Sequence, residues 1–467
     1  MKDTLLKEFE AIVGPKGMVT EAVDLEPYLS EERGLYHGKS DLVVRPATTE
    51  EVAKVVALCA QEGLAIVPQG GNTGLCGGAV ADGEVILSLG RMNKIRALDP
   101  LNATLTVEAG TILKNVQTAA EDAGFLFPLS LGAEGSCQIG GNLATNAGGV
   151  NVLKYGNSRD LVLGLEVVLP DGRIWNGLKG LRKDNTGYDL KHLFLGSEGT
   201  LGIITAAVLK LFPQPKAKQT ALIALPDLES VAQLLSRAKA LCGDSLSAFE
   251  FISRFAMELV SRHVDGVSDP FEEPHAMYVL LELTSPNEQA DLRTAIETLL
   301  EAAFEEGLVE DAVFAESGQQ AEALWNLRES IPEAQKHEGA SIKHDISVPV
   351  SKVAEFIATA SQAVTQAMPG LRPCPFGHMG DGNIHFNLTQ PEGMEAKAYL
   401  DHWDAMNRIV HDIAVKMDGS FSAEHGIGKL KVDEIVHYKD AIEVDLMRAV
   451  KTALDPHNTL NPGKIVR

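Results

Sequence analysis

The residues best suited to chemistry form two histidine-containing motifs in the last quarter of the chain. The first, FGHMGDGNIHFN, spans residues 376–387. Asp381-Gly382 is a favoured two-residue hairpin turn, and a hairpin centred there pairs His378 with His385, with Cβ atoms ~5 Å apart. Asn387 shares the face of His385, because side chains alternate along a strand. Two imidazoles so placed can share one divalent metal ion, although two surface histidines flanking a turn give the same pattern.

The second motif, SAEHGIGK, spans residues 422–429. Glu424 can add a carboxylate ligand, and two histidines, one carboxylate and an open position make a catalytic site for zinc or a similar ion. His425 is adjacent and can serve as a general base. A solvated polar turn is the alternative interpretation of Glu424-His425.

Three glycine-rich segments are suited to holding a large ligand. In the first, PQGGNTGLCGG (68–78), glycines let successive backbone N–H groups face one anion, and Asn72 and Thr73 add side-chain donors. A diphosphate fits this pattern, and a tight surface turn is the alternative. Residues 130–149 combine glycine with Ser, Thr and Asn, which suits a planar ligand, and residues 199–204 offer further backbone contacts. The chain has no G-x-G-x-x-G and no G-x-x-x-x-G-K-[ST], which disfavours a Rossmann NAD site and a P-loop.

A helix and a strand are predicted to position the first glycine-rich loop. Thr48 and Glu51 match a capping box, and Gly63 is placed to end the helix. The predicted apolar face of this helix consists of Val52, Val55, Val56 and Cys59. Residues 64–67 then predict a buried strand that ends at Pro68. The loop would therefore begin at a strand end, where ligand-binding loops commonly lie.

The pattern changes at Phe212-Pro213-Gln214-Pro215-Lys216, which predicts a domain boundary. The following region has few glycines and predicts amphipathic helices such as 227–241 and 286–306. Glycine-rich motifs return near the C-terminus. We therefore predict a first domain at 1–215, a second at 216–420, and a C-terminal segment, 421–467, that returns to the first domain.

Charge and composition exclude several classes of protein. The 467 residues carry a net charge of -23, which argues against non-specific binding to nucleic acid or anionic membranes. The five cysteines are an odd, scattered set, which argues against a disulfide framework, and they include no C-x-x-C pair, which disfavours an iron–sulfur cluster. No apolar run approaches the ~20 residues of a membrane span, and the N-terminus has no signal-peptide apolar region. We therefore expect a cytoplasmic protein with no integral membrane segment and no nucleic-acid partner.

The segments PQGGNTGLCGG, SCQIGGNLATNAGG and GSEGTLGIIT resemble the FAD-binding domain of the vanillyl-alcohol-oxidase, or PCMH-type, flavoprotein family. The resemblance spans essentially the whole chain. It implies an α+β fold, with a two-subdomain PCMH-type FAD-binding domain and an α+β cap, or substrate, domain built on an antiparallel sheet. The loop at 70–74 would hold the FAD diphosphate, and 130–149 would line the ribityl chain and flavin ring. Relatives with covalent flavin often carry His in the first loop, and residues 68–80 contain none, so non-covalent FAD is expected.

The cofactor contacts that this resemblance implies are spread over all three glycine-rich segments and the C-terminal LNPGKI motif. They are Pro68, Gly70, Gly71, Asn72, Thr73, Gly74, Ser130, Gly135, Ser136, Gly140, Gly141, Asn142, Thr145, Asn146, Gly148, Gly149, Gly202, Ile203 and Asn461.

The motifs GHMGDGNIH and EHGIG resemble a narrower group of the family, the D-2-hydroxyglutarate, D-lactate and glycolate dehydrogenases. This resemblance implies a metal on His378, His385 and Glu424, with His425 beside the substrate as catalytic base. Arg328 and Lys343 resemble carboxylate-binding positions of the cap, and Asn387 is a further candidate for the substrate site. Taken alone, Arg328 and Lys343 would each be interpreted as a solvated surface charge. Some D-2-hydroxyglutarate relatives have a hydroxyl residue four positions after the arginine, where this chain has Pro332, so the resemblance does not imply the exact carboxylate contacts.

The function that these resemblances imply is FAD-dependent oxidation of a D-2-hydroxy acid to its 2-oxo acid. D-2-hydroxyglutarate is the leading substrate, because the first loop looks closest to that subgroup, and D-lactate, D-malate and glycolate stay open. The other classes are a non-redox flavoenzyme on the same fold, a flavin-free metal hydrolase and an electron-transfer subunit. An electron-transfer flavoprotein is a candidate electron acceptor, and a homodimer is the candidate assembly.

Overall fold

The computed structural model describes residues 2–467. The chain divides into two compact units, each formed by segments that are distant in sequence. The first unit comprises the chain up to Gly148, Tyr155–Gln214 and Glu424–Arg467, and the second comprises Gly149–Lys154 and Pro215–Ala423. Both units combine helices with largely antiparallel sheets, which confirms the predicted α+β fold class.

The first unit contains two principal sheets. Its strands are β1 Met18–Val19, β2 Val43–Val44, β3 Ile66–Gln69, β4 Val85–Ser88, β5 Ile95–Asp99, β6 Thr104–Glu108, β7 Phe125–Leu126, β8 Val162–Val168, β9 Ile174–Gly177, β10 Ile203–Lys210 and β11 Phe212–Pro213. One sheet has the order β1-β2-β4-β3, the other has the order β5-β6-β10-β8-β9, and β7 pairs with β11. Two sheets in one unit correspond to the two subdomains that the family resemblance implies.

The second unit contains one large antiparallel sheet. Its strands are β12 Ala217–Leu225, β13 Leu246–Ser253, β14 Met277–Ser285, β15 Asp311–Phe314, β16 Ser341–Ile342, β17 Asp345–Ser347, β18 Arg372–Gly377 and β19 Asn383–Thr389. The order is β15-β12-β14-β13-β18-β19-β16, and β17 also pairs with β19. Strands β13, β18, β19 and β17 carry the polar residues that matter below.

Helices cover both units. In chain order they are α1 Asp3–Val13, α2 Ala22–Leu29, α3 Thr49–Glu62, α4 Leu113–Asp122, α5 Ile139–Ala144, α6 Val152–Tyr155, α7 Lys191–Phe194, α8 Leu228–Cys242, α9 Arg254–His263, α10 Leu292–Glu305, α11 Gly318–Glu329, α12 Ile331–Ala334, α13 Val353–Ala367, α14 Ala396–Leu400, α15 Trp403–Lys416, α16 Val432–Tyr438 and α17 Ala441–Leu454. Short 3-10 turns lie at Pro15–Gly17, Gly243–Ser245, Gln335–Glu338 and Val350–Lys352. Within residues 2–467, none of these helices combines the length and apolar character that crossing a bilayer requires.

Local sequence signals place α3 and the loop that follows β3. The Thr48 hydroxyl accepts from the Glu51 amide, and Gly63 ends the helix in the left-handed region with φ 66°. The Glu51 carboxylate accepts from the amide of Ala47 instead of Thr48, so the capping box is displaced by one residue. β3 does not end at Pro68 but runs to Gln69. It is an edge strand of its sheet, where a missing N–H is tolerated.

The helices of the second unit fit the predicted apolar periodicity. α8 begins one residue after the predicted start, because Asp227 caps it by accepting from the Ser230 amide. α10 begins six residues later than predicted, at Leu292, because Asp291 accepts from the Thr294 amide and acts as the N-cap. One face of the sheet packs on α9, α11 and α12 around a buried core, so the polar residues of β13 and β18 lie beside well-packed hydrophobic side chains.

Candidate active site

A partly open cavity lies in the first unit. It is lined by the loop after β3, by α5, by the start of β10 and by His425. The predicted cofactor residues in its lining are Pro68, Gly70, Gly71, Asn72, Thr73, Gly74, Gly140, Gly141, Asn142, Thr145, Gly202 and Ile203. The fold therefore brings the three glycine-rich segments and the predicted catalytic base to one cavity.

The first loop of this cavity has the geometry of an anion-binding site. No backbone N–H from Gly70 to Leu75 donates to another residue within 2–467. Asn72 adopts φ 55°, and a Cβ added at Gly71 would lie 2.3 Å from the Ser136 carbonyl oxygen. Six consecutive N–H groups without a protein partner are available to the oxygens of a diphosphate. The residues of this loop therefore fit the FAD diphosphate.

Seven of the predicted cofactor residues do not line this cavity: Ser130, Gly135, Ser136, Asn146, Gly148, Gly149 and Asn461. Some of them support the lining instead. Ser136 packs behind Gly71 as described, and the Asn146 side-chain oxygen accepts from the Arg159 amide at 2.9 Å. The Asn461 side-chain amide donates to the carbonyls of Gly78 and Glu198 at 2.9 and 2.7 Å.

Glu198 is a lining residue that the sequence analysis missed. Its carboxylate accepts from the backbone amides of Ile427 and Gly428, each at 2.7 Å. Burial raises the pKa of Glu198, and these two hydrogen bonds oppose the rise. The interaction holds the His425-Gly426-Ile427-Gly428 segment at the cavity. A sequence signal was present, because Glu198 is the single charged residue of GSEGTLGIIT.

The remaining lining residues are mostly small or apolar and come from unconnected elements. They are Gln69, Cys76, Gly78, Ala79, Leu89, Ala109, Gln138, Ala144, Gly199 and Ile204. Leu89 and Ala109 follow strands of two different sheets, and no local pattern in the sequence identifies such residues.

The second unit carries the first histidine motif, at residues 376–387. The loop between β18 and β19 in this motif is longer than predicted. β18 and β19 pair with Phe376 opposite His385, so the predicted pairing of His378 with His385 is wrong by two residues. Two successive turns, closed by the amides of Asp381 and Gly382, leave His378 in the loop and outside the strand. The two imidazole rings nevertheless lie close together, with centroids 5.4 Å apart.

A buried carboxylate, Glu250 on β13, connects two of the predicted site residues. It is 1% exposed. Its Oε1 lies 2.8 Å from Nδ1 of His378, and its Oε2 accepts from Nε of Arg328 at 2.8 Å. Burial raises the pKa of Glu250, but the neighbouring His378 and Arg328 outweigh this effect and hold the pKa below its usual range. Sequence analysis missed Glu250, because it stands alone in the apolar strand LSAFEFIS.

His385 has a different acidic neighbour, Asp345 on β17. The two residues are directly opposite each other in the β17–β19 ladder, and Asp345 is buried. The Asn383 side-chain amide donates to Asp345 Oδ1 at 3.0 Å. The Phe376 ring packs 5.2 Å from the ring of His385. Asp345 was also missed, since only the pairing of distant strands brings it to His385.

The predicted substrate-binding residues of the second unit differ in their surroundings. Arg328 is at the C-terminal end of α11 and is 5% exposed, with its guanidinium 5.1 Å from the Phe376 ring. Lys343 is half-buried between β16 and β17. Asn387 is buried, and its side-chain amide donates to Gln335 at 2.9 Å. The predicted third metal ligand, Glu424, and the predicted base, His425, belong to the first unit.

Comparisons with known proteins define the class. Residues 40–177 match the FAD binding domain, and residues 214–465 match the C-terminal domain of FAD linked oxidases. The D-2-hydroxyglutarate dehydrogenase of Xanthomonas citri pv. viticola is 39% identical over 100% of this chain and 97% of its own length. The mitochondrial D-2-hydroxyglutarate dehydrogenase of Arabidopsis thaliana is 41% identical over 98% of this chain and 80% of its own length. The chain belongs to the FAD-linked oxidase family, and FAD is its cofactor.

A solved structure supports the same fold. The structure of p-cresol methylhydroxylase with bound substrate superposes with a TM-score of 0.76 over 99% of this chain and 96% of the other, at 19% identity. This likeness concerns the fold and carries no information on the substrate of the present chain.

Proposed function

We propose that this protein is an FAD-dependent dehydrogenase that oxidises a D-2-hydroxy acid, foremost D-2-hydroxyglutarate, to the 2-oxo acid. The observation that carries the proposal is the cavity in which six unpartnered loop amides and His425 lie together. Such a cavity offers a site for the FAD diphosphate and a base for the substrate in one unit. The names of the relatives supply the substrate.

The protein's own residues bind and orient the substrate and move one proton. His425 takes the proton of the α-hydroxyl group. Arg328 and Lys343 hold the carboxylates of the substrate. Such local cations are needed because the whole chain carries a net charge of -23. Asn387 stays a predicted contact of the substrate. FAD supplies the hydride acceptor. No observation favours a flavin-free hydrolase or a non-redox flavoenzyme.

We also propose that His378 and His385 hold a divalent metal, zinc or a similar ion, with Glu424 as the predicted third ligand. The two histidines suit a shared ion, because their ring centroids are 5.4 Å apart and Nδ1 of His378 is occupied by Glu250. Nε2 of His378 is then the nitrogen with ligand character. The bound ion would lower the pKa of the substrate hydroxyl group.

A dye-reduction screen of D- and L-2-hydroxy acids tests the proposed function. We expect the isolated chain to reduce an artificial dye with D-2-hydroxyglutarate and not with the L enantiomer, because the relatives are named for the D enantiomer. Faster turnover of D-lactate, D-malate or glycolate would reassign the substrate. An isolated chain that reduces no dye with any of these acids would instead favour an electron-transfer subunit.

FAD is expected to be bound without a covalent bond, because residues 68–80 contain no histidine. The purified protein should be yellow, and precipitation with acid should release the flavin into the supernatant. Flavin absorbance that stays with the pellet would contradict non-covalent binding.

Several finer assignments stay proposals. They include an electron-transfer flavoprotein as acceptor, a homodimer, a cytoplasmic location, and the roles of residues 1–215, 216–420 and 421–467 as FAD domain, cap and returning segment. The plant relative is named as mitochondrial, whereas the bacterial relative is not. Fractionation of cells that express the tagged chain would decide the location.

A further inference from the structure

Glu250 divides its two carboxylate oxygens between two proposed functional residues. Oε1 is 2.8 Å from Nδ1 of His378, and Oε2 is 2.8 Å from Nε of Arg328. All three side chains are at least nine-tenths buried, and the strand that carries Glu250 is buried along its whole length. A carboxylate in such a position is costly unless its charge and its lone pairs are satisfied. These two contacts provide that compensation.

We propose that Glu250 is a positioning residue that couples the metal site to the substrate-carboxylate site by orienting both His378 and Arg328. The inference rests on the proposed function, since it takes the roles of those two residues from there. It assigns Glu250 no contact with the metal, the substrate or the flavin. Glu250 acts through the hydrogen bonds it accepts.

The first consequence concerns the tautomer of His378. An ionised carboxylate only accepts hydrogen bonds, so Nδ1 of His378 must carry the hydrogen that points to Oε1. The neutral imidazole then has its lone pair on Nε2, and a metal ligand needs that lone pair. The second oxygen of Glu250 is taken by Arg328, so the contact with His378 is made through Oε1 alone. Metal binding requires a neutral imidazole.

The second consequence concerns the guanidinium of Arg328. Its Nε donates to Glu250, and no other residue within 2–467 accepts a hydrogen bond from it. The Phe376 ring, 5.1 Å away, packs against the same group. The two terminal nitrogens remain as a planar pair of donors, which matches the two oxygens of a carboxylate. Glu250 thus holds the guanidinium by one edge and leaves the other for an anionic ligand.

Substitution E250Q breaks this arrangement with little change in volume. The glutamine oxygen can accept from either Arg328 or His378, and its NH2 group must face the other partner. If the NH2 group faces His378, Nδ1 becomes the acceptor and the hydrogen moves to Nε2. If the NH2 group faces Arg328, two donors oppose each other. In either case one of the two hydrogen bonds is lost and the other is no longer made to a charged acceptor, so the orientation of both sites is weakened.

E282Q is a matched control in the same sheet. Glu282 on β14 is also buried, at 6% exposure. Its carboxylate accepts from Thr220 at 3.0 Å and Trp325 at 2.7 Å, and it pairs with Lys218 at 3.1 Å. None of these partners has a proposed role at the site. E282Q therefore reports the general effect of neutralising a buried acid.

Zinc affinity is the first measurement, made by chelator competition on the FAD-loaded protein without substrate. We expect E250Q to bind zinc roughly 10- to 100-fold more weakly than the parent, while E282Q keeps parental affinity and both variants keep their FAD. Zinc binding by E250Q within twofold of the parent would overturn the proposal, and so would an equal loss in E282Q. If E250Q does not fold, E250D replaces it. Its carboxylate is one methylene shorter and cannot reach both partners, so parental affinity for zinc and for substrate in E250D would likewise overturn the proposal.

Substrate affinity is the second measurement, taken from the concentration dependence of flavin reduction by D-2-hydroxyglutarate under anaerobic conditions. For zinc-saturated E250Q we expect a dissociation constant about tenfold or more above the parental value. An unchanged dissociation constant would show that Glu250 does not orient Arg328 for substrate binding. If no variant and no parent is reduced by any D-2-hydroxy acid, the proposed function fails, whereas the zinc comparison still decides the role of Glu250 toward His378.

Discussion

Replacing His378 with alanine is expected to remove the divalent metal and to lower turnover by about 100-fold or more. Polarisation of the substrate by a metal contributes several kcal/mol, and about 1.4 kcal/mol corresponds to a factor of ten. The parent should contain about one metal ion per chain by elemental analysis, and a chelator should abolish its turnover while FAD remains bound.

His263→Ala is the control for this substitution. His263 is in the same unit and also pairs with a carboxylate, Glu338 at 2.7 Å, but it has no predicted ligand role. We expect this variant to keep its metal and its turnover. A parent preparation that is free of metal and fully active would refute the metal site, and His378 would then be a histidine whose role is limited to the buried pair with Glu250.

Replacing His425 with alanine is expected to slow the reduction of the flavin by about 100-fold or more, with little change in substrate affinity. His425 is proposed to take the hydroxyl proton, and the contribution of a positioned base is about 100- to 10,000-fold. Anaerobic rapid mixing with D-2-hydroxyglutarate measures the dissociation constant and the reduction rate in one titration. In this variant the reduction rate should fall, while the dissociation constant should stay near the parental value.

His457→Ala is a suitable control, because His457 is exposed and lies in the same unit. It should reduce its flavin at the parental rate. If His425→Ala is reduced as fast as the parent at every pH, proton removal belongs to another group. His425 would then be a polar turn residue that lines the cavity without taking part in the reaction.

Elements with local signals were predicted well. The helix α3 and its end at Gly63 follow from Thr48, from the apolar spacing and from a glycine that adopts positive φ. α8 agrees for the same reason, since Asp227 caps it. α10 was misplaced at its start, because the periodic pattern continued beyond the Asp291 cap. Where capping groups and apolar spacing agree, a few neighbouring residues specify the element.

The hairpin register shows where such inference fails. The Asp381-Gly382 turn was assigned from its dipeptide, but Gly377 adopts φ 138° and the chain makes two turns before β19 begins. The register is then set by β13 and β17, which pair with β18 and β19 from distant parts of the chain. His378 follows the last residue of β18, so its ring still lies near that of His385, with centroids 5.4 Å apart, although the predicted pairing was wrong.

The sequence alone determined the family, the FAD cofactor, the α+β class and the candidate residues for the chemistry, because these depend on short motifs whose backbone and side-chain requirements are local. Only the tertiary structure decided which acidic residues lie beside the histidines of these motifs. Glu250, Asp345 and Glu198 reach His378, His385 and the His425 segment through strand pairing and loop contacts across 128, 40 and about 230 positions. A buried acid in an apolar strand has no local pattern of its own. Its partners are fixed by the need to satisfy a charge within the packed interior.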